Sequence, residues 1–346
     1  MFLEKRKEEK RRIEYIDALR GVTMLLVVYS HIQAKGYHNI LDFNLIFVKF
    51  RMPLFFFISG WVLYKHTRRW DVHTSIHFLI NKFKVQILST LIFFFIFIYI
   101  YHIPISEAFG STKTGYWFTY TLFFFFLFYV VSVNLGKLFG KIITEDSAVL
   151  TIAILITFIY CFTAIDSNEH RQNLYNIVGV TQWKYYIFFC FGTFTKKYFN
   201  SFVSITNPSW VMAFTISSFF ILLIFNDSIV KFGHDTILFF LYGFIGIVFI
   251  FTFFRKNEHW FATNKNISKW LQYIGRHTLD IYLLHYFFLP RNLQAIGDFF
   301  IRYSNPTIEL FVSMTLALIV ICVCLLLSKM LCTSPLLGNI LFGKTK

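Results

Sequence analysis

Arg20 and His31 stand eleven residues apart inside the first apolar stretch, which reads Ile16-Asp17-Ala18-Leu19-Arg20-Gly21-Val22-Thr23-Met24-Leu25-Leu26-Val27-Val28-Tyr29-Ser30-His31. Eleven residues make about three helical turns, so a helix puts both groups on one face, ~16 Å apart along its axis. Ionisable groups are costly in hydrocarbon, and one held inside a span points to function. A neutral imidazole titrates near neutrality and can take the proton of a hydroxyl as that oxygen attacks an acyl carbon. A guanidinium presents a fixed fork to phosphate or carboxylate. Asp17 lies three residues before Arg20 and can share its helix face. A plainer reading stays open: Arg20 snorkels to the surface with Asp17 neutralising it, and His31 bonds a neighbouring carbonyl.

The chain that positions these groups is built for lipid. Of 346 residues, 56% are hydrophobic and 15% charged, well below the charged share of soluble proteins. Ten apolar stretches approach crossing length: 16–34, 43–64, 85–103, 116–135, 148–165, 183–198, 210–225, 236–254, 274–290 and 308–327. The sixth and seventh are short, and a tilted or partial helix is expected at the sixth. With the N-terminus in the cytoplasm, 23 of the 33 Lys and Arg side chains fall on the inner side and seven on the outer. This bias predicts an all-α polytopic membrane protein with about ten transmembrane helices and both termini cytoplasmic. The +15 net charge therefore reads as positive-inside bias and not as a nucleic-acid surface. Residues 1–15 form a basic cytoplasmic segment, 16–328 the membrane domain and 329–346 a cytoplasmic tail. The first apolar stretch lacks a small-x-small cleavage site and is expected to stay as a helix. The five cysteines are scattered, with no CxxC, and suggest neither disulfides nor a metal knuckle.

Further candidates lie along the spans. The second contains Arg51-Met52-Pro53 and Ser59-Gly60; the proline frees backbone groups that protein or water must satisfy, and Arg51 needs a partner or a wet cavity. The loop after it holds Arg68, Arg69 and Trp70, with Lys82 and Lys84 beyond, a basic set matching the phosphates of a nucleotide-like ligand or simply positive-inside charge. Trp70 either stacks on a base or sits in the interfacial belt. Tyr282 and His285 share a face of the ninth span at a depth like that of His31, lining a cavity or filling a core. Trp117, opening the fourth span, faces a sugar or anchors the interface. His73 and His77 have the spacing of metal ligands but lack a further ligand set, so no metal is expected.

Five segments together resemble the acyltransferase 3 family of membrane O-acyltransferases. "RIEYIDALRGVTMLLVVYSH" is similar to its first helix, "RMPLFFFISGW" to its second, "GYWFTYTL" to the start of its fourth, "FFCFGTFTKK" to the end of its sixth and "IGRHTLDIYLLH" to its ninth. The resemblance spans residues 13 to about 328. It implies transfer of an acyl group, usually acetyl, from cytoplasmic acetyl-CoA to a hydroxyl of a surface polysaccharide or lipid-linked glycan in a bacterial inner membrane. His31 is then the catalytic histidine, Arg20 its basic partner beside Asp17, and Arg20, Arg68, Arg69, Lys82 and Lys84 the contacts for CoA. Arg51, Trp117, Tyr282 and His285 become acceptor-binding or cavity residues. Two positions depart from the pattern: Ser89 stands where a proline opens the third helix, and Arg51 where relatives often have histidine. Polar groups within spans would also suit a transporter or flippase for such glycans, but no inverted repeat is apparent.

Overall fold

The computed structural model describes residues 13–140, 142–166, 168–226, 235–262, 266–303 and 305–344. Lys5, Arg6, Lys7, Lys10, Arg11 and Arg12 of the predicted basic segment lie outside the described residues, as do Lys141, Lys231, Lys265 and Lys346. Among the described residues there is no strand. The principal helices are α1 (Glu14–His31), α2 (Asp42–Leu63), α3 (Val72–Tyr101), α4 (Trp117–Leu138), α5 (Glu145–Ile165), α6 (Tyr186–Lys197), α7 (Phe199–Thr206), α8 (Ser209–Ile224), α9 (Asp235–Lys256), α10 (Asn266–Arg276), α11 (Thr278–Phe288), α12 (Gln294–Tyr303), α13 (Pro306–Leu331) and α14 (Pro335–Phe342).

Six of these, α2, α3, α4, α5, α9 and α13, are long and apolar enough to cross a bilayer, and α7 with α8 adds a seventh if a pair bent by 79° counts as one span. The other predicted stretches are helical for specific reasons short of that standard. α1 carries Glu14, Asp17 and Arg20 within 18 residues. α6 has only 12 residues, and stretch 274–290 breaks at His277 between α10 and α11. A full crossing by a straight helix takes about 20 residues.

The chain forms two compact units. The first comprises residues up to Lys65 together with Phe194–Ser328. Within it α1 is the buried axis: Ala18, Leu19, Met24, Val28 and Tyr29 are fully enclosed. Its chief neighbour is α10, whose sequence turns small and polar residues inward (Ser268, Gln272, Gly275) and leaves Ile267, Trp270 and Tyr273 exposed. The inward face is small because the two backbones nearly touch. A Cβ on Gly21 would strike the Leu271 carbonyl, and one on Gly275 the Asp17 carbonyl. Small residues at both positions are what permits helices to approach so closely in a membrane. On its other side α1 meets α2 and α9, where the Phe251 ring receives Tyr15, Phe57 and Trp61 at centroid distances of 6.3, 5.1 and 6.1 Å. α1 then runs on through a π-helical turn, Ile32–Gly36, which carries Gln33 and Lys35 beyond His31.

The second unit comprises His66–Thr193 and Lys329–Lys346. Here the expected loop 65–84 is shorter than its charges suggested. α3 begins at Val72, capped by Asp71, which accepts from the Thr74 N–H at 2.7 Å and is thereby held below the usual carboxylate range. Lys82 and Lys84 therefore lie on a helix. No proline is needed to distort it: a π-helical turn, Phe83–Leu88, directly precedes Ser89. His73 and His77 sit on the first turns of α3, and among the described residues no cluster of three metal-ligating side chains occurs.

The glycine contacts yield a direct prediction. Gly21→Ala and Gly275→Ala each insert a methyl group against an immovable carbonyl, and overpacking of this kind typically costs about 1–3 kcal/mol. Each variant should melt several degrees below wild type in detergent, whereas Gly338→Ala, on α14, where the added methyl meets Cys332 at ordinary contact distance, should melt close to wild type.

Candidate functional site

His31 closes α1, and His285 and Tyr286 lie toward the end of α11. The two helices bring these rings together. The Tyr286 hydroxyl is 2.9 Å from His31 Nε2, with ring centroids 4.9 Å apart. The His285 ring leans over His31 at 5.2 Å and 32°. Lys35, one turn past His31, sets its ammonium 4.6 Å from the Tyr286 ring centroid.

The two imidazoles are held by opposite atoms. His285 Nδ1 lies 3.0 and 2.8 Å from the carbonyl oxygens of Ile281 and Tyr282. Both partners only accept, so Nδ1 carries the hydrogen and the neutral ring presents a lone pair at Nε2. That nitrogen is buried and lacks a hydrogen-bond partner among the described residues. In His31 the engaged nitrogen is Nε2, and the side chain is only half-buried.

Arg20 and Asp17 are also anchored from across the helix pair. Arg20 Nη2 donates to Thr278 Oγ1 at 2.8 Å, and Asp17 Oδ2 lies 3.3 Å from Arg276 Nε. Arg276 continues to Gln272 Oε1 at 2.9 Å. The basic end of α1 is therefore fixed by α10 and the start of α11, its histidine end by the close of α11. Arg51 reaches toward the same end of α1: its Nη1 donates to Asn44 Oδ1 at 3.3 Å, which also accepts from Ser30 Oγ at 2.6 Å. Tyr282 is buried with its ring centroid 6.0 Å from that of His285. The tyrosine that reaches His31 is Tyr286.

Two further residues escaped the sequence reading. Tyr286 is 255 positions from His31, and no spacing rule connects them. Glu309 on α13 is a buried carboxyl that accepts from Tyr29 Oη at 2.8 Å, from Ser313 Oγ at 3.2 Å and from Gln33 Nε2. Gln33 also donates to Ser313 Oγ at 2.9 Å. The signal was present as paired i, i+4 polar positions, Tyr29 with Gln33 and Glu309 with Ser313, each on one helix face.

The remaining candidates belong to the second unit. Arg68 lies over the rings of Trp70 and Phe78 at 5.2 and 5.1 Å, and Lys82 over Phe78 and Phe126 at 5.6 and 4.8 Å. Arg69 and Lys84 are exposed. Trp70 is buried against Tyr129 and Phe78, so its faces are taken by protein. Trp117 stacks on Tyr185 at 5.6 Å and 24°. Beside it Lys113 is buried, donates to the Asn176 carbonyl at 2.8 Å and lies 4.8 Å from the Tyr120 ring; burial pushes its ammonium down to about 8. An open cleft of about 480 Å³ at the bend between α7 and α8, in the first unit, is lined by Asn200, Val203, Ser204, Asn207, Pro208 and Ser209 and by none of the candidate residues.

Lys113 supplies a pH test of this packing. An unfolded lysine keeps its proton to about pH 10.4, whereas the folded one releases it near 8, so the unfolded chain binds more protons between the two. Stability conferred relative to a neutral side chain must rise with pH across that window. Lys113→Met should therefore be most stabilising below pH 8, and its advantage in melting temperature should shrink as pH climbs toward 10.

Against known sequences, the acyltransferase 3 family model, described as an acyltransferase domain, matches residues 13–327. No curated protein and no solved structure gives a match.

Proposed function

The chain belongs to the acyltransferase 3 family as a multi-pass membrane acyltransferase, and we propose that it moves an acyl group, acetyl foremost, from cytoplasmic acyl-CoA to a hydroxyl of a surface polysaccharide or lipid-linked glycan. The observation that carries the reading is the cluster at the end of α1: a half-buried imidazole held by a tyrosine and flanked by a second imidazole with a bare nitrogen. Neutral rings in fixed orientations suit proton abstraction from a weakly acidic alcohol.

In this proposal His31 removes the proton of the acceptor hydroxyl as its oxygen attacks the thioester carbon. The tetrahedral intermediate collapses by breaking the C–S bond. The departing thiolate of CoA takes the proton back from the His31 imidazolium, which returns the base to its starting form. Arg51, tied through Asn44 to Ser30 beside His31, is our candidate for the developing oxyanion. His285 Nε2 and Tyr282 are assigned to the acceptor.

The CoA phosphates are assigned to basic side chains. Arg20 is the candidate in the unit that holds His31; Arg68, Arg69, Lys82 and Lys84 form the basic set of the second unit, considered by itself. Asp17, paired with Arg276, steadies the Arg20 end of α1. Trp117 is assigned to a sugar face. A bacterial inner membrane, ten crossings and cytoplasmic termini complete the proposal. The basic bias of the inner segments supports the cytoplasmic termini.

The test is acyl transfer from radiolabelled acetyl-CoA to glycan in membranes that contain the protein. His31→Ala should lose at least about 10²-fold in rate, the scale of a missing general base, with insertion and expression unchanged. Full transfer activity in that variant would refute the assignment.

A further inference from the structure

The proposed base has two nitrogens, and only one can carry the reaction. His31 Nε2 lies 2.9 Å from the Tyr286 hydroxyl, within hydrogen-bond range. A phenol can donate or accept. If it donated, Nε2 would lose its lone pair to the tyrosine and Nδ1 would hold the ring hydrogen. His31 itself would then offer the acceptor no free lone pair. If Nε2–H donates to the phenol oxygen, Nδ1 is left bare. Nε2 is the nitrogen of His31 that a hydrogen bond engages among the described residues, and the side chain is only half-buried at the end of α1.

Resting on the acyl-transfer reading above, we propose that Tyr286 is a positioning residue that accepts the Nε2–H of His31, fixes its ring and tautomer, and leaves Nδ1 as the nitrogen that takes the acceptor proton. The surroundings favour this arrangement. His285, on the neighbouring position of α11, has its own Nδ1 locked to two backbone carbonyls and packs 4.1 Å from the Tyr286 ring, which restricts the phenol from the other side. The Lys35 ammonium over the Tyr286 face adds a third constraint. Positional control of a base through its second nitrogen is the role an orienting partner plays in other acyl-transfer sites. Here a neutral phenol would fill it, which suits a site inside a membrane where a second carboxylate would be costly.

Two measurements on the full-length protein test the inference. In steady-state transfer, Tyr286→Phe keeps the ring and removes only the oxygen. It should lower kcat by about 10²-fold, with KM for acetyl-CoA and for the glycan within about twofold of wild type. In nitrogen NMR of histidine-labelled protein in bilayers, the His31 signal, assigned by its loss in His31→Ala, should show a protonated Nε2 and a bare Nδ1. Tyr286→Phe should mix the two tautomers. A wild-type kcat in Tyr286→Phe, or a bare Nε2 in the wild-type spectrum, overturns the proposal. If the wild type transfers no acyl group at all, the acyl-transfer reading fails, and the spectrum still decides which nitrogen Tyr286 holds.

Discussion

The near-contact of two backbones, α1 against α10, is the constraint on which the placement of the candidate site rests. Gly21 and Gly275 remove the Cβ atoms that would hold these helices apart. Once the backbones meet, α11 follows directly from α10 and must run alongside α1. Register then matters at both ends. Arg20 is brought to Thr278, and Asp17 to Arg276, at the basic end. Tyr286 is brought to His31 at the other. A slip of one residue on α11 would turn Tyr286 about 100° around its helix and remove it from the imidazole.

Such fixing is demanded by the solvent. A charged side chain at the centre of a membrane helix costs about 2.5–3.5 kcal/mol on insertion scales. The helix α1 carries Asp17, Arg20 and His31, with Gln33 and Lys35 on its π-helical continuation. Each of these meets a named protein group from another helix. Asp17, Arg20 and His31 find partners on α10 and α11; Gln33 finds Glu309 and Ser313 on α13; Lys35 lies over Tyr286. This explains why a helix that is too polar to pass as a span by composition is among the most enclosed in the unit.

How much of this was legible in the sequence depended on whether the information was local. The shared face of Arg20 and His31 follows from helical periodicity, and both side chains do meet one neighbouring element pair. The family could be read from five short segments because each keeps its own residue pattern. What was lost was long-range. Tyr286 directly follows His285, and adjacent helix positions point about 100° apart, so an argument from faces chose Tyr282 one turn earlier. In the fold His31 packs against the two adjacent rings of His285 and Tyr286, at centroid distances of 5.2 and 4.9 Å, a contact that a shared helix face does not reveal. The start of α3 was hidden for another reason. Arg68, Lys82 and Lys84 made residues 65–84 look like a loop, but Arg68 and Lys82 lay their charges over Trp70, Phe78 and Phe126, so basic residues there do not imply an unfolded segment.

The two histidines are held in contrasting ways. An orphaned buried polar atom costs free energy that an apolar side chain in the same place would avoid. His285 bears that cost at Nε2 while its Nδ1 is doubly engaged, so its orientation is set by the helix itself and owes nothing to a ligand. His31 is set instead by a side chain, Tyr286, on a different helix. One ring is thus rigid by backbone geometry and the other by packing between α1 and α11. A lone pair held in place before any acceptor arrives needs no reorganisation when a hydroxyl donates to it, and a pre-oriented site of this kind gains its advantage from geometry fixed during folding. The glycine contact at the far end of α1 therefore bears on the proposed chemistry about three helical turns away, because it fixes the register in which the tyrosine meets the imidazole.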